Sequence, residues 1–373
     1  MSQQMRRREL IRIVGAGAGT LTLTKEATAQ ENLGTERWQF TPGGAVASPT
    51  VADGTVYVGS ADSNLYAVDA QTGTEQWRFQ VGGVASPTVA DGTVYVGSAD
   101  SKLYAVDAQT GTEQWRFRQA VGEVASPTVV DGTVYIGSYD SGLHAVDAET
   151  GTEQWNFETA YVTKSSPTVA NGTVYIGSGI LHAVDAQTGA EQWRFPDGGV
   201  VASPAVAKET VYVSSEGSNL YAIDTQTGAE QWRFDTENVE GYRNPPTVAD
   251  GSVYIGSEYN LYSVDTVDGT EQWRFDAGGE VASPTVVDGT VYIGSYDSGL
   301  YAVDAETGTN QWHSEFANAN AIGSSPAVTE GTGTVYIGSN DGVHAIKSGT
   351  IQESTSQPGG QIGGLATLAA LGF

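Results

Sequence analysis

Cysteine is absent from the 373 residues of this chain, and histidine occurs only four times. Without cysteine there is no disulfide scaffold, no cysteine-ligated zinc or iron–sulfur site and no cysteine nucleophile. Basic residues are also scarce, because 17 Lys and Arg stand against 44 Asp and Glu, a net charge of −27. We therefore expect no nucleic-acid binding, since phosphates require a basic surface. No apolar run reaches the ~18–20 residues of a membrane-spanning helix, so we expect no transmembrane span.

The first 29 residues have the features of an export signal. Arg6-Arg7-Arg8-Glu9-Leu10-Ile11-Arg12 supplies a basic start, residues 13–23 are mildly apolar, and Ala27-Thr28-Ala29 is a small-residue cleavage pattern. The basic start resembles a twin-arginine signal. A disordered N-terminus with chance arginines is the alternative. We expect a secreted protein, extracellular or at the cell surface, that is exported by the twin-arginine pathway.

The predicted mature chain is strongly acidic. Residues 1–29 hold five basic and two acidic residues, so their removal leaves 12 basic against 42 acidic residues, a net charge of −30. Self-repulsion of that size opposes a compact state in dilute buffer, whereas molar salt shortens the screening length to ~3 Å. The composition resembles that of salt-adapted archaeal proteins and indicates a haloarchaeal origin. An acidic secreted protein without salt adaptation is the alternative.

Tryptophan recurs at a regular interval. The eight Trp are 38 to 41 residues apart, at Trp38, Trp77, Trp115, Trp155, Trp193, Trp232, Trp273 and Trp312. Between them the same segments recur, in the first copy Ser48-Pro49-Thr50-Val51, Asp53-Gly54, Thr55-Val56-Tyr57-Val58-Gly59-Ser60, Leu65-Tyr66-Ala67-Val68-Asp69 and Thr72-Gly73-Thr74-Glu75-Gln76-Trp77-Arg78-Phe79. A period near 40 with short β-rich segments is typical of β-propeller blades.

Each repeat predicts four short strands. Two-residue hairpins are indicated at Asp53-Gly54, Asp91-Gly92, Asp131-Gly132, Asn171-Gly172, Asp250-Gly251 and Asp288-Gly289. Residues 69–73 supply the turn before the last strand. A proline at the start of the first strand marks an edge strand, which we place at the centre of the ring. The Trp strand is then the outer one.

The two ends of the repeat region do not match, and this predicts how the ring closes. The Ser-Pro, Tyr-Val-Gly and Leu-Tyr-Ala-Val-Asp segments each have eight versions, but no Trp strand follows the last copy, and the unpaired Glu36–Phe40 precedes the first. We therefore predict an all-β, eight-bladed propeller of four-stranded blades in which Glu36–Phe40 is the outer strand of blade eight. The domains are a signal peptide at 1–29, the propeller at 30–347, and a flexible linker with a short apolar tail at 348–373.

The repeat text is similar to that of the PQQ-like (pyrroloquinoline quinone repeat) β-propellers. The resemblance rests on Ser-Pro-Thr-Val-x-x-Gly-x-Val-Tyr-Val-Gly-Ser, Leu-Tyr-Ala-Val-Asp and Thr-Gly-x-x-x-Trp and covers roughly residues 36–347. The superfamily includes quinoprotein alcohol dehydrogenases and the outer-membrane assembly lipoprotein BamB. The resemblance therefore implies the fold, while enzymes and non-enzymatic scaffolds share the repeat.

If this chain were an enzyme of that family, the resemblance would imply a quinone on the propeller axis, over a Trp and beside a vicinal disulfide. It would also imply a calcium ion held by Glu, Asn and Asp, and an Asp that acts as the base. Here Cys is absent, and every Trp belongs to the repeat. The aspartates of one repeat position read as turn residues: Asp69, Asp107, Asp147, Asp185, Asp224, Asp265 and Asp304. We therefore expect no catalytic residues, no metal site and no cofactor; pyrroloquinoline quinone and calcium are disfavoured.

Three of the four histidines replace the Tyr of the Leu-Tyr-Ala-Val-Asp segment: His144, His182 and His344. Since one repeat position lies in separate blades, we interpret them as strand residues with satisfied hydrogen bonds rather than as metal ligands. His313 follows Trp312.

Partner binding is best sought where the repeat is interrupted. The interblade linkers and the loops between second and third strands lie on one face, and loops commonly carry binding residues. We select as contact residues Tyr161, Lys164, Glu240, Tyr242, Arg243 and Tyr259, because exposed Tyr and Arg are favoured at interfaces. Neutral variation of solvent loops is the alternative.

We thus expect a secreted, non-enzymatic scaffold, BamB-like and monomeric, that binds a protein or a cell-surface component. The alternatives are a quinone-dependent dehydrogenase, and a carbohydrate- or peptide-binding module that uses the loop tyrosines.

Overall fold

The computed structural model describes residues 33–83, 85–118, 124–139, 142–159, 165–200, 202–215, 217, 219–236, 244–297, 299–316, 323–329 and 333–349. Within these ranges the chain forms eight four-stranded antiparallel sheets. We call them blades one to eight, in the order in which their inner strands occur in the chain. The predicted signal at 1–29 lies outside the described residues, as does all but the start of the predicted tail. In the described part no helix has the length and apolarity that a membrane crossing requires.

Each blade contributes one strand to each of four radial positions. The inner strands are Thr50–Ala52, Thr88–Ala90, Thr128–Val130, Thr168–Ala170, Ala205–Ala207, Thr247–Ala249, Thr285–Val287 and Ala327–Thr329. The second strands are Thr55–Ser60, Thr93–Ser98, Thr133–Ser138, Thr173–Gly177, Thr210–Ser214, Ser252–Gly256, Thr290–Ser295 and Thr334–Ser339. The third strands are Asn64–Asp69, Lys102–Asp107, Gly142–Asp147, Gly179–Asp185, Asn219–Asp224, Asn260–Asp265, Gly299–Asp304 and Gly342–Lys347. The outer strands are Glu75–Gln80, Glu113–Phe117, Glu153–Glu158, Glu191–Val200, Glu230–Asp235, Glu271–Asp276, Asn310–Glu315 and Glu36–Phe40.

The predicted hairpins follow from glycine's freedom at positive φ. Asp53 has φ 47° and Gly54 has φ 73°, so both central residues are left-handed, as a type I′ turn requires. The inner strand begins at the residue after the proline, where it forms the edge of the sheet as predicted. In blade one, all six residues of Thr55–Ser60 are buried, because the second strand is covered on both faces by neighbouring blades.

The inner strands of neighbouring blades contact one another around a complete ring. In six interfaces a threonine hydroxyl of one inner strand donates to the proline carbonyl of the next blade. The first of these bonds runs from Thr50 Oγ1 to Pro87 O over 2.6 Å. The hydrophobic core lies between blades, since each of its eight clusters combines side chains of two neighbours.

Blade eight is closed by the N-terminal strand, as the sequence predicts. Trp38 pairs with Ala345, Gln39 with His344 and Phe40 with Val343 in an antiparallel register. Glu36 also reaches the third strand with its side chain, because its Oε1 lies 2.9 Å from Nδ1 of His344. The ring is thus held shut by residues more than 300 positions apart.

The two chain ends also form a turn together at this seam, and this turn was not predicted. In blade one, Gly73 N–H donates to Asp69 O and Asp69 N–H donates to Thr74 O. At the seam, Gly34 N–H donates to Lys347 O over 2.8 Å, and Lys347 N–H donates to Thr35 O over 2.9 Å. The two bonds are equivalent, so one turn is assembled from both ends of the chain.

Candidate functional site on the linker face

One face of the ring carries the interblade linkers together with the loops between second and third strands. We call it the linker face, and the opposite one, with the hairpins and the turns before the outer strands, the turn face. Linkers and loops are joined by backbone hydrogen bonds, such as Ala61 N–H to Ala45 O at 2.8 Å and Ala99 N–H to Gly83 O at 2.7 Å. This confirms the prediction that these segments share a face.

Of the six predicted contact residues, the structure describes one. Tyr259 lies on the linker face, at the end of the loop between the second and third strands of blade six, and 51% of the residue is exposed. Hydrogen bonding to the neighbouring Glu258, together with its negative charge, raises the pKa of the Tyr259 phenol. Tyr161, Lys164, Glu240, Tyr242 and Arg243 lie outside the described residues, so their selection stays a prediction.

A second exposed tyrosine lies in the corresponding loop of the next blade. Tyr296 follows the second strand of blade seven and is 45% exposed. Its backbone N–H donates to the carbonyl of Glu280, in the linker from blade six to blade seven, over 2.9 Å. Partial burial raises the pKa of the Tyr296 phenol, and the negative charge of Glu280 adds a smaller increase. We call Glu258, Tyr259, Glu280 and Tyr296 the tyrosine–glutamate patch.

A cavity of about 400 Å³ borders the patch. Its lining combines small and neutral side chains around the axis with one aromatic ring: Val46, Ala47, Ser48, Ala85, Ser86, Ser126, Tyr296, Gly323, Ser324, Gly338, Ser339 and Asn340. None of these residues is charged, and none is a tryptophan. Gly323 leaves room for Tyr296, because a Cβ there would lie 2.7 Å from the phenol oxygen. Hydroxyl and amide groups thus dominate the polar contacts that this cavity offers.

The tryptophans are committed to blade interfaces. Each lies on an outer strand and packs over a turn glycine of the next blade, where a Cβ would come within 2.7–3.0 Å of the indole. The pairs are Trp38–Gly73, Trp77–Gly111, Trp115–Gly151, Trp155–Gly189, Trp193–Gly228, Trp232–Gly269, Trp273–Gly308 and Trp312–Gly34. The indole N–H of Trp77 also donates to Ala108 O over 3.0 Å. The outer-strand position of all eight agrees with the sequence analysis.

The aspartates of the repeat hold turns, as predicted. Asp69 Oδ1 accepts hydrogen bonds from Thr72 N–H and from Thr72 Oγ1, both over 2.8 Å. Hydrogen bonds from the threonine side chain and backbone lower the pKa of this carboxyl group. The same arrangement recurs at Asp107, Asp147, Asp185, Asp224 and Asp304. These carboxylates stabilise the turns on the turn face.

The repeat histidines have carboxylate partners within their own blades. Nδ1 of His144 lies 2.9 Å from Glu153 Oε1, and Nδ1 of His182 lies 2.9 Å from Glu191 Oε1. Both imidazoles are buried and meet a phenylalanine of the preceding blade edge-on. Burial lowers the pKa of His182, although its bond to Glu191 opposes the shift. Among the described residues, no three His, Asp or Glu side chains are grouped so as to hold a metal ion.

The amino-acid sequence matches the model of a known protein family. The family model described as outer membrane protein assembly factor BamB matches residues 13–86, 81–193, 140–243 and 239–361. No curated protein matches the sequence.

Solved structures of the same fold include a BamB protein, a quinohemoprotein alcohol dehydrogenase and a computationally designed protein. BamB from Moraxella catarrhalis aligns with a TM-score of 0.70 at 17% identity, over 84% of this chain and 98% of its own. The computationally designed Ika8 protein aligns with a TM-score of 0.74 at 17% identity, over 84% and 100%. The quinohemoprotein alcohol dehydrogenase ADHIIG from Pseudomonas putida HK5 aligns with a TM-score of 0.72 at 17% identity, over 87% and 78%. At this identity the likeness shows the fold alone.

Proposed function

The chain belongs to the family of the outer membrane protein assembly factor BamB, and from that premise we propose that it is a non-enzymatic propeller that binds a protein or cell-surface partner through its linker face. The proposal rests on a difference between the side chains of the two faces. Repeat residues bind their own neighbours on the turn face, whereas exposed tyrosines depart from the repeat on the linker face. Tyrosine combines large contact area with a hydrogen-bonding group, which favours it at interfaces.

The described lining of the axis cavity does not fit pyrroloquinoline quinone. That cofactor is an ortho-quinone with three carboxylates, and a buried carboxylate needs a cation or several hydrogen-bond donors. No Lys or Arg is among the described lining residues, and the indoles that could stack on the ring system are occupied between blades. This mismatch favours a scaffold over a dehydrogenase.

Two measurements on the purified full chain test this proposal. Titration with pyrroloquinoline quinone and calcium, followed by calorimetry and absorbance, is expected to give no saturable binding; one-to-one binding would overturn the non-enzymatic function. For the binding face, a photo-crosslinking amino acid is placed at Tyr259 or, as a matched control, at the exposed Gln71 of the turn face. We expect adducts in whole cells from the first position only. Adducts from Gln71 alone would assign binding to the wrong face.

We further propose that the protein is exported through the twin-arginine pathway to the cell surface or beyond, and that it works as a monomer in high salt. The basic start of the chain and the net charge of −27 support this. We expect the melting temperature to rise steeply between ~0.1 M and molar KCl as repulsion is screened. Equal stability in dilute buffer would remove the physical basis for salt adaptation.

A further inference from the structure

Backbone hydrogen bonds join the loops of the tyrosine–glutamate patch to the linker between them. The linker between blades six and seven is fastened to blade six by Ala277 N–H to Tyr259 O at 2.8 Å and by Val281 N–H to Ser257 O at 3.0 Å. Glu280 O fastens it to Tyr296 N–H in blade seven. A patch held in this way loses little backbone freedom on binding.

The patch is not needed for the fold. In blade one the residues equivalent to Glu280 and Tyr296 are Ala45 and Ala61, and the same backbone hydrogen bond joins them over 2.8 Å. In blade two, Gly83 and Ala99 repeat this bond over 2.7 Å. Since methyl groups or a glycine suffice for this bond in blades one and two, the fold does not account for the carboxylate of Glu280 and the phenol of Tyr296.

The two carboxylates repel each other and have no cation to neutralise them among the described residues. Partial burial raises the pKa of Glu280, and the negative charge of Glu258 raises it further. None of the ion pairs of the described chain includes either residue. A positive charge bound between Glu258 and Glu280 would offset both their mutual repulsion and the cost of partly burying the Glu280 carboxylate.

The aromatic rings of the patch suit the same ligand. Tyr259 and Tyr296 are the only tyrosines that the described part of the chain leaves exposed. A phenol ring attracts an ammonium or guanidinium group to its face, and this attraction strengthens when the ion is partly desolvated. Tyr296 also lines the axis cavity, whose neutral walls offer hydroxyl acceptors to the rest of such a ligand.

We propose that the tyrosine–glutamate patch binds a lysine or arginine side chain of a partner protein. The inference rests on the proposed function, for which it supplies the chemistry of the partner: a basic segment that inserts one cation between the two tyrosine loops.

The test uses the folded full chain and a random peptide library displayed on phage. The matched variant is Glu280→Ala with Tyr296→Ala, which copies Ala45 and Ala61 of blade one and should therefore fold. We expect enriched peptides to contain Arg or Lys and to bind the wild type at least ~10-fold more tightly than this variant. Replacement of the arginine by neutral, isosteric citrulline should cost a similar factor. Gln71→Ala on the turn face should have no effect, and binding should weaken with added salt.

Two results would overturn the inference, with different consequences for the proposed function. If enriched peptides lose affinity for the double variant but bind equally well with citrulline, the linker face still binds proteins, and the proposal that the patch recognises a cationic side chain is wrong. If they bind the double variant normally and lose affinity for Gln71→Ala, both the patch and the choice of face are wrong.

Discussion

The two faces of the propeller use the same backbone differently. On the turn face, the Asp–Thr turn recurs with nearly the same hydrogen bonds from blade to blade, and a glycine beneath a tryptophan completes it. On the linker face, equivalent positions hold Ala45, Gly83 or Glu280 around an unchanged backbone bond. The compared turn-face positions thus depend on particular side chains, whereas the compared linker-face positions depend only on the backbone bond.

Loss of the seam should have the largest effect on stability. Deleting Glu36–Phe40 removes the outer strand of blade eight, the indole over Gly73 and the bond to His344. Truncation of one fully buried Trp or Phe costs about 3–5 kcal/mol; Trp38 and Phe40 are partly buried, and a whole paired strand is lost with them, so we expect a loss of about 5 kcal/mol, with aggregation through the exposed edge. Gln39→Ala, in the same strand but exposed, should change the melting temperature little. A normal melting curve for the deletion would contradict the closure.

Two turn-face glycines separate backbone strain from packing. Gly54 has φ 73° and open space around its Cβ position, whereas Gly111 has φ 70° and the Trp77 indole 2.7 Å away. Alanine at Gly54 should cost about 1 kcal/mol through its left-handed backbone alone. At Gly111 it should cost about 3 kcal/mol, because the indole must also move. Denaturant unfolding at constant salt measures both; equal losses would mean that the tryptophan stacking contributes nothing.

Acid should act on the turn face. Hydrogen bonds from threonine lower the pKa of Asp69 and of five other turn aspartates below the ordinary 3.8. Their contribution to stability is therefore present above pH 3.8 and lost as the pH falls through the lowered values. Asp69→Asn should reduce this acid sensitivity, whereas the exposed Glu149→Gln should not. The melting temperature measured from pH 7 to pH 3 checks both.

Glu280 on the linker face should show the opposite sign and the smallest effect. Because burial raises its pKa above 4.5, the folded state holds this proton more tightly, and stability declines as the pH rises through the raised value. Glu280→Gln should therefore raise the melting temperature slightly at pH 7, with no gain below pH 4. Tyr259→Ala, an exposed neighbour, should leave it unchanged. A loss of stability at pH 7 would mean that Glu280 supports the fold.

The strands, the hairpins and the seam could be predicted from the sequence, because each depends on residues that are close in the chain or on the number of repeats. Asp53-Gly54 forms a left-handed turn by itself, and the missing eighth Trp strand indicated Glu36–Phe40. The split turn at Gly34 and Lys347 was missed, although Gly34 stands four residues before Trp38 as Gly73 stands four before Trp77. Glu280 was missed as well, because nothing in its linker marks it until Tyr259 and Tyr296 are placed beside it.

The eight-bladed architecture follows from the amino-acid sequence alone, since eight copies of a four-stranded unit, with the unpaired strand Glu36–Phe40 before the first copy, complete a closed ring. The sequence also determined which residues serve the fold, because they recur in nearly every unit. The arrangement of the folded ring is needed to show that Glu258, Tyr259, Glu280 and Tyr296 share one patch beside the axis cavity. These residues come from two blades and the linker between them, and contact across blades depends on the curvature of the closed ring rather than on any local pattern.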